Sequence, residues 1–228
     1  MTFTRFLPLI LAAATLAAVP HAVMAKAKPA KAPAAASNGA YVLPSEPGLL
    51  PDMVLGNPKA PITVIEYASA ACPHCAAWNK DNWPAFRDKY VATGKVKYVF
   101  RELLTNPAEY ALAGFLIGRC AVAQGKTPHS SANYFTVVDT FFKNQEAYYK
   151  TGDMAPIEAQ VAKATGLSTM KQLDCVTDQG QIDAFYKTMN THAEADKIHS
   201  TPTFIVNGKT VDGHDMKDID AAIAAAGK

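Results

Sequence analysis

The chain has 228 residues, 49% of them apolar, with 22 basic against 20 acidic side chains. That length suffices for one domain with its own core, or for one domain carrying a large insertion. The near-neutral balance and the lack of a basic stripe argue against a nucleic-acid partner, and after residue 25 no segment is long and apolar enough to cross a bilayer.

Arg5, the apolar run FLPLILAAATLAAV and the small residues around Val23-Met24-Ala25 read as a cleavable secretory signal over residues 1–25, cut after Ala25, with Ala22 as a neighbouring alternative. The run is short for a retained membrane anchor. Residues 26–40 are rich in Ala, Pro and Lys and lack periodicity, so they read as a disordered tether. Residues 41–61 contain PSEPG and LGNPKAP and read as turns at the start of the folded body.

PITVIEYAS (residues 61–69) is β-branched and almost continuously apolar, the pattern of a central strand covered on both faces. AAWNKDNWPAFRDKY follows Cys75 with Trp78, Phe86 and Tyr90 at helical intervals, and Pro84 is expected to kink or divide that helix. KVKYVFREL (residues 95–103) is a second strand, with Val96, Tyr98 and Phe100 on one face and Lys97, Val99 and Arg101 on the other. Residues 41–104 thus form a βαβ unit with a Cys-x-x-Cys just past its first strand.

Residues 105–197 are mainly helical. NPAEYALAGFLIGRCAVAQG closes at Gly125, ANYFTVVDTFFKN is a second helix, and PIEAQVAKATG is a third with Pro156 in its first turn and Gly166 at its end. Gln145 to Tyr149 either extends the second helix or starts another, and MKQLDCVTD and GQIDAFYKTMNTHAEAD follow. Residues 198–228 return to strand character in TPTFIVNGKTV, with Asn207-Gly208 as a hairpin turn, and end in the helix DMKDIDAAIAAAG.

The pair Cys72-Pro73-His74-Cys75 admits three readings. A structural disulfide there would close a very small loop and constrain little. A structural zinc site needs two more ligands, and no second close cysteine pair is present. Redox chemistry fits the setting. The first turn of a helix offers unpaired N–H groups at the positive end of the dipole, which favour a thiolate at Cys72. Pro73 suits a position that needs no donor, and His74 brings a donor or a positive charge. Cys72 is then the exchanging sulfur, and Cys75, a turn deeper, the one that resolves the mixed disulfide.

Glu66 interrupts an apolar strand six residues before Cys72. Buried beneath the pair, it would have a raised pKa and serve Cys75 as a proton carrier; on an edge, it would pair with a lysine or arginine. Pro202 in HSTPTF belongs at a strand start, where Thr201 would present its backbone to an extended substrate. Cys120 and Cys175 either bond to each other, tying the helical region together, or remain buried free thiols. The pairs Tyr134/Phe135, Phe141/Phe142, Tyr148/Tyr149 and Phe185/Tyr186 read as core, with some left to line a groove.

GNPKAPITVIEYASAACPHC, YVFREL and STPTFIVNG resemble the DsbA-like branch of the thioredoxin superfamily over roughly residues 52–224. The resemblance implies an α/β, thioredoxin-like fold with an inserted helical domain. It also implies a periplasmic thiol:disulfide oxidoreductase whose partners are reduced exported proteins and a membrane quinone-linked thiol oxidase. Carried over by motif, Cys72 is the nucleophile, Cys75 the resolving cysteine, Pro73 and His74 the tuning dipeptide, Glu66 the buried acid and Pro202 the cis-proline. No cofactor or metal is implied.

Thr201 departs from the valine found before the cis-proline in the best-known oxidases of that branch, and threonine also occurs there in disulfide isomerases. The alternatives to an oxidase are therefore an isomerase or reductase and, in another class, a copper-handling or substrate-binding protein. No dimerisation segment is evident before residue 50, so a monomer is expected.

Overall fold

The computed structural model describes residues 39–44, 46–124 and 130–227. The signal and residues 26–38 of the tether lie outside them, as does Gly125, the expected end of the first inserted helix.

Six strands form one sheet: β1 (Gly39–Leu43), β2 (Asp52–Gly56), β3 (Ile62–Ala68), β4 (Val96–Glu102), β5 (Thr203–Val206) and β6 (Lys209–Thr210), in the order β1-β2-β4-β3-β5-β6. Only β3 and β4 run parallel; the other pairs are antiparallel. Parallel neighbours need a crossover, supplied by α1 (Pro73–Asp81), α2 (Trp83–Phe86) and a π-helical turn at Arg87–Val91. The break between α1 and α2 falls just before Pro84, whose ring cannot follow a continuous helical ladder.

Strands β1 and β2 correct the reading of residues 41–61 as turns and of Gly39 and Ala40 as tether. Gly39 pairs with Gly56 and Leu43 with Asp52, and β2 in turn pairs with β4. Met53 and Val54 are buried there. Strands of five residues are too short to show a period of two, so the sheet's own pairing, not local preference, makes them strands.

Among the described residues, five helices separate β4 from β5: α3 (Ala108–Ala123), α4 (Ala132–Thr151), α5 (Ala155–Thr165), α6 (Thr169–Thr177) and α7 (Gln179–Ala195). Gln145 to Tyr149 extends α4. Gly152 and Gly166 end α4 and α5 in the left-handed region that glycine adopts without a Cβ penalty. Gly114 and Gly118, one turn apart on α3, admit the rings of Phe141 and Tyr134 from α4; a Cβ at Gly114 would lie 2.8 Å from Phe141. Tyr134, Phe141, Phe142 and Phe185 are buried, whereas Tyr149 and Tyr186 are exposed. The sulfurs of Cys120 on α3 and Cys175 on α6 are bonded.

On the other face of the sheet Arg101 bridges Asp52 and Asp196, and the Tyr67 hydroxyl donates to Asp196 at 2.6 Å. This holds the end of α7 against the sheet just before the Thr201 loop. The hairpin at Asn207 and Gly208 has φ of 45° and 79°, as a primed turn requires. Helix α8 (Met216–Ala226) closes the chain and buries Ile219 and Ile223.

Candidate active site

Cys72 is the N-cap of α1, and Pro73 opens the helix where no donor is needed. Trp78 on α1 packs on Phe204 of β5 with ring centroids 4.8 Å apart. That contact brings the start of α1 beside the loop entering β5. The Thr201–Pro202 bond is cis, and Cys72 Sγ lies 3.4 Å from the Thr201 carbonyl oxygen.

The two sulfurs, free thiols in this structure, sit in opposite environments. Hydrogen bonding from Cys75 lowers the pKa of Cys72 to about 5, with further help from the Thr201 side chain and the backbone N–H groups of Cys75 and His74; partial burial opposes them. Cys75 has no exposed surface. Burial, then its bond to Cys72, then the charges of Cys72 and Glu66 push its thiol far up. One sulfur is therefore a thiolate at neutral pH and the other a thiol.

Sheet register explains Glu66. Its neighbours across β4 and β5 are Phe100 and Phe204. The Tyr98 hydroxyl, set opposite Val64 and so on the same face of the sheet, reaches Glu66 Oε2 at 2.6 Å. Burial raises the Glu66 pKa to about 8; the Tyr98 hydrogen bond pulls it down, and the charge of Cys72 adds to the rise. The carboxyl is thus buried and joined to a phenol, not edge-facing and joined to a cation.

His74 brings a donor to Cys72 from its backbone, while its imidazole is exposed and lies 6.4 Å, centroid to centroid, from that of His214. Among the described residues, no three His, Cys, Asp or Glu side chains are grouped as metal ligands.

Sequence reasoning missed three contributors. The strand pattern puts Tyr98 on one face with Val96 and Phe100 but does not set it against Glu66. Gln145 and Tyr149 of α4 donate to the carbonyls of Ala70 and Ala71, and nothing local in α4 marks that contact. Tyr149 also lines a groove of about 930 Å³ that runs from Pro73 between α1 and α4, past Ala77, Trp83 and Phe142.

A cysteine pair at the start of the first helix after a central strand, beside a proline that opens the neighbouring strand, is the arrangement of a thioredoxin fold. The chain belongs to the thioredoxin family, whose model, described as Thioredoxin, matches residues 49–225. Its fold is similar to that of Wolbachia pipientis alpha-DsbA1, with a TM-score of 0.65 at 24% identity over 81% of this chain and 94% of that one. It is similar to a Rickettsia bellii protein named "Putative protein-disulfide oxidoreductase", with 28% identity over 77% of this chain and 64% of the relative. It is also similar to Disulfide bond formation protein D of Bacillus subtilis, at 22% identity over 73% of this chain and 72% of the relative. The chain thus spans under two thirds of the length of the Rickettsia bellii and Rickettsia typhi relatives, 64% and 62%.

Proposed function

We propose that the chain is an exported thiol:disulfide oxidoreductase that donates its Cys72–Cys75 disulfide to reduced, folding proteins in the periplasm. The observation that carries this reading is the opposed acidity of the two sulfurs, high at Cys72, whose pKa is lowered, and low at Cys75, whose pKa is raised. Stabilising the reduced pair through a thiolate makes the disulfide form a stronger oxidant.

The exchange proceeds in two displacements. A substrate thiolate attacks Cys72 Sγ, and the Cys72–Cys75 bond breaks as a substrate–Cys72 disulfide forms. The departing Cys75 sulfur takes a proton, which Glu66 holds at neutral pH because burial raises its pKa to about 8. A second substrate thiolate then attacks the substrate's own sulfur and expels Cys72 as a stable thiolate. The substrate loses two electrons and the pair gains them. Thr201, with its carbonyl beside Cys72, is placed to align an extended substrate.

A membrane quinone-linked thiol oxidase would return the pair to its disulfide state. The location rests on the signal-like residues 1–25 and on the resemblance to the DsbA-like branch. Thr201 keeps a second reading, isomerase or reductase, in play.

The oxidised protein is mixed with a reduced, denatured substrate that regains activity on forming its disulfides. Reactivation by the unmodified protein and none by Cys72→Ser are expected; Cys75→Ser, first converted to its Cys72–glutathione disulfide, should exchange glutathione for a substrate thiolate and stay trapped as the Cys72–substrate disulfide. Full activity of Cys72→Ser defeats the reading. Faster refolding of scrambled substrate than of reduced substrate favours the isomerase.

A further inference from the structure

The segment leading from β3 to Cys72 has four carbonyls to satisfy. The Ala68 oxygen accepts from Leu103 N at 2.9 Å, and the Ser69 oxygen from Cys72 N at 3.0 Å. The last two depend on the inserted helices. The Ala70 oxygen accepts from Gln145 Nε2 at 2.7 Å, and the Ala71 oxygen accepts from the Tyr149 hydroxyl. Gln145 and Tyr149 stand one turn apart on a single face of α4.

Both peptide planes before Cys72 are therefore fixed at each end. In the Ala70–Ala71 plane, Ala71 N donates to Ser69 Oγ at 3.3 Å while Gln145 holds the carbonyl. In the Ala71–Cys72 plane, Cys72 N donates to Ser69 O while Tyr149 holds the carbonyl. Ala70 and Ala71 are fully buried, so no solvent replaces these donors. A buried carbonyl left without a donor costs about 1–3 kcal/mol and tends to turn toward another one.

We infer that Gln145 and Tyr149 are positioning residues through which the helical insertion sets the oxidising strength of the Cys72–Cys75 pair. A carbonyl oxygen carries the negative end of its dipole and repels a thiolate. With both oxygens bonded to α4, the backbone N–H groups of the first helical turn, not the carbonyls, dominate the field at Cys72. Tyr149 suits the task because burial and then the charge of Cys72 raise its own pKa, so it remains a donor at neutral pH. The inference rests on the redox reading of the pair.

The test compares the full chain with Tyr149→Phe, which keeps the ring at a site 43% exposed. The thiolate absorbance of the reduced protein is titrated against pH, and the pair is equilibrated with glutathione. Tyr149→Phe should raise the Cys72 midpoint by about one pH unit, a tenfold loss of acidity. Its reduction potential should fall by about 30 mV, the equivalent of tenfold for a two-electron couple. Gln145→Leu should move both values in the same direction, and Tyr148→Phe, which removes a hydroxyl facing neither carbonyl, should move neither. Tyr149→Phe with an unchanged midpoint and potential overturns the inference, whatever its melting temperature. An unmodified protein whose Cys72 titrates near an ordinary thiol value overturns the redox reading as well.

Discussion

Tyr98 donates its phenolic hydrogen to Glu66 at 2.6 Å, and both side chains are buried. A carboxyl there is held as an acid by burial and steadied by one neutral donor. It can supply a proton at neutral pH without first breaking an ion pair.

This arrangement has a signed consequence for stability. The Glu66 pKa rises from about 4.5 unfolded to about 8 folded. Its contribution to stability is therefore full below pH 4.5 and is lost as pH rises through 8. Glu66→Gln removes that slope. Denaturant unfolding of the reduced protein should show the variant gaining on the unmodified chain between pH 5 and 8.5, by a few kcal/mol at the upper end. With the proposed proton carrier of Cys75 removed, disulfide transfer should slow by about a hundredfold in stopped-flow measurements.

Thr201 supports the Cys72 thiolate through its side chain. Thr201→Val keeps the size and removes the hydroxyl. The Cys72 midpoint should rise above the unmodified value of about 5 by up to about one unit, and alkylation by iodoacetamide at pH 5 should slow accordingly. An unchanged midpoint would mean that Cys75 and the backbone donors hold the sulfur without the Thr201 hydroxyl.

The Cys120–Cys175 bond joins α3 to α6 across 55 residues. Replacing both by serine should cost about 4 kcal/mol in the loop-entropy model, seen as a lower denaturant midpoint. The potential of the Cys72–Cys75 pair should stay where it was, since the hydrogen bonds that hold the segment before Cys72 come from other residues.

Much of this was legible in the chain because it is local. The strand, the Cys-x-x-Cys and the following helix are adjacent in sequence, and Pro84, Gly166 and Asn207-Gly208 act on their own neighbours. What escaped is long-range. Strand β2 owes its existence to pairing with β4, more than 40 residues later. The contacts of Gln145 and Tyr149 with Ala70 and Ala71 span 75 and 78 residues. Tyr149 stood in a run of aromatics that reads as core, and only the packed helix reveals which hydroxyl turns to the loop. Glu66 could be flagged as odd, but the phenol that holds it follows from a diagonal across two strands.

The reduction potential of the Cys72–Cys75 pair, measured by equilibration with glutathione, tests the central claim most directly. A thiolate at Cys72 opposed by a buried thiol at Cys75 predicts a strongly oxidising value, near the −120 mV or so of DsbA. A value near about −270 mV, that of thioredoxin, would contradict it and make the chain a reductase.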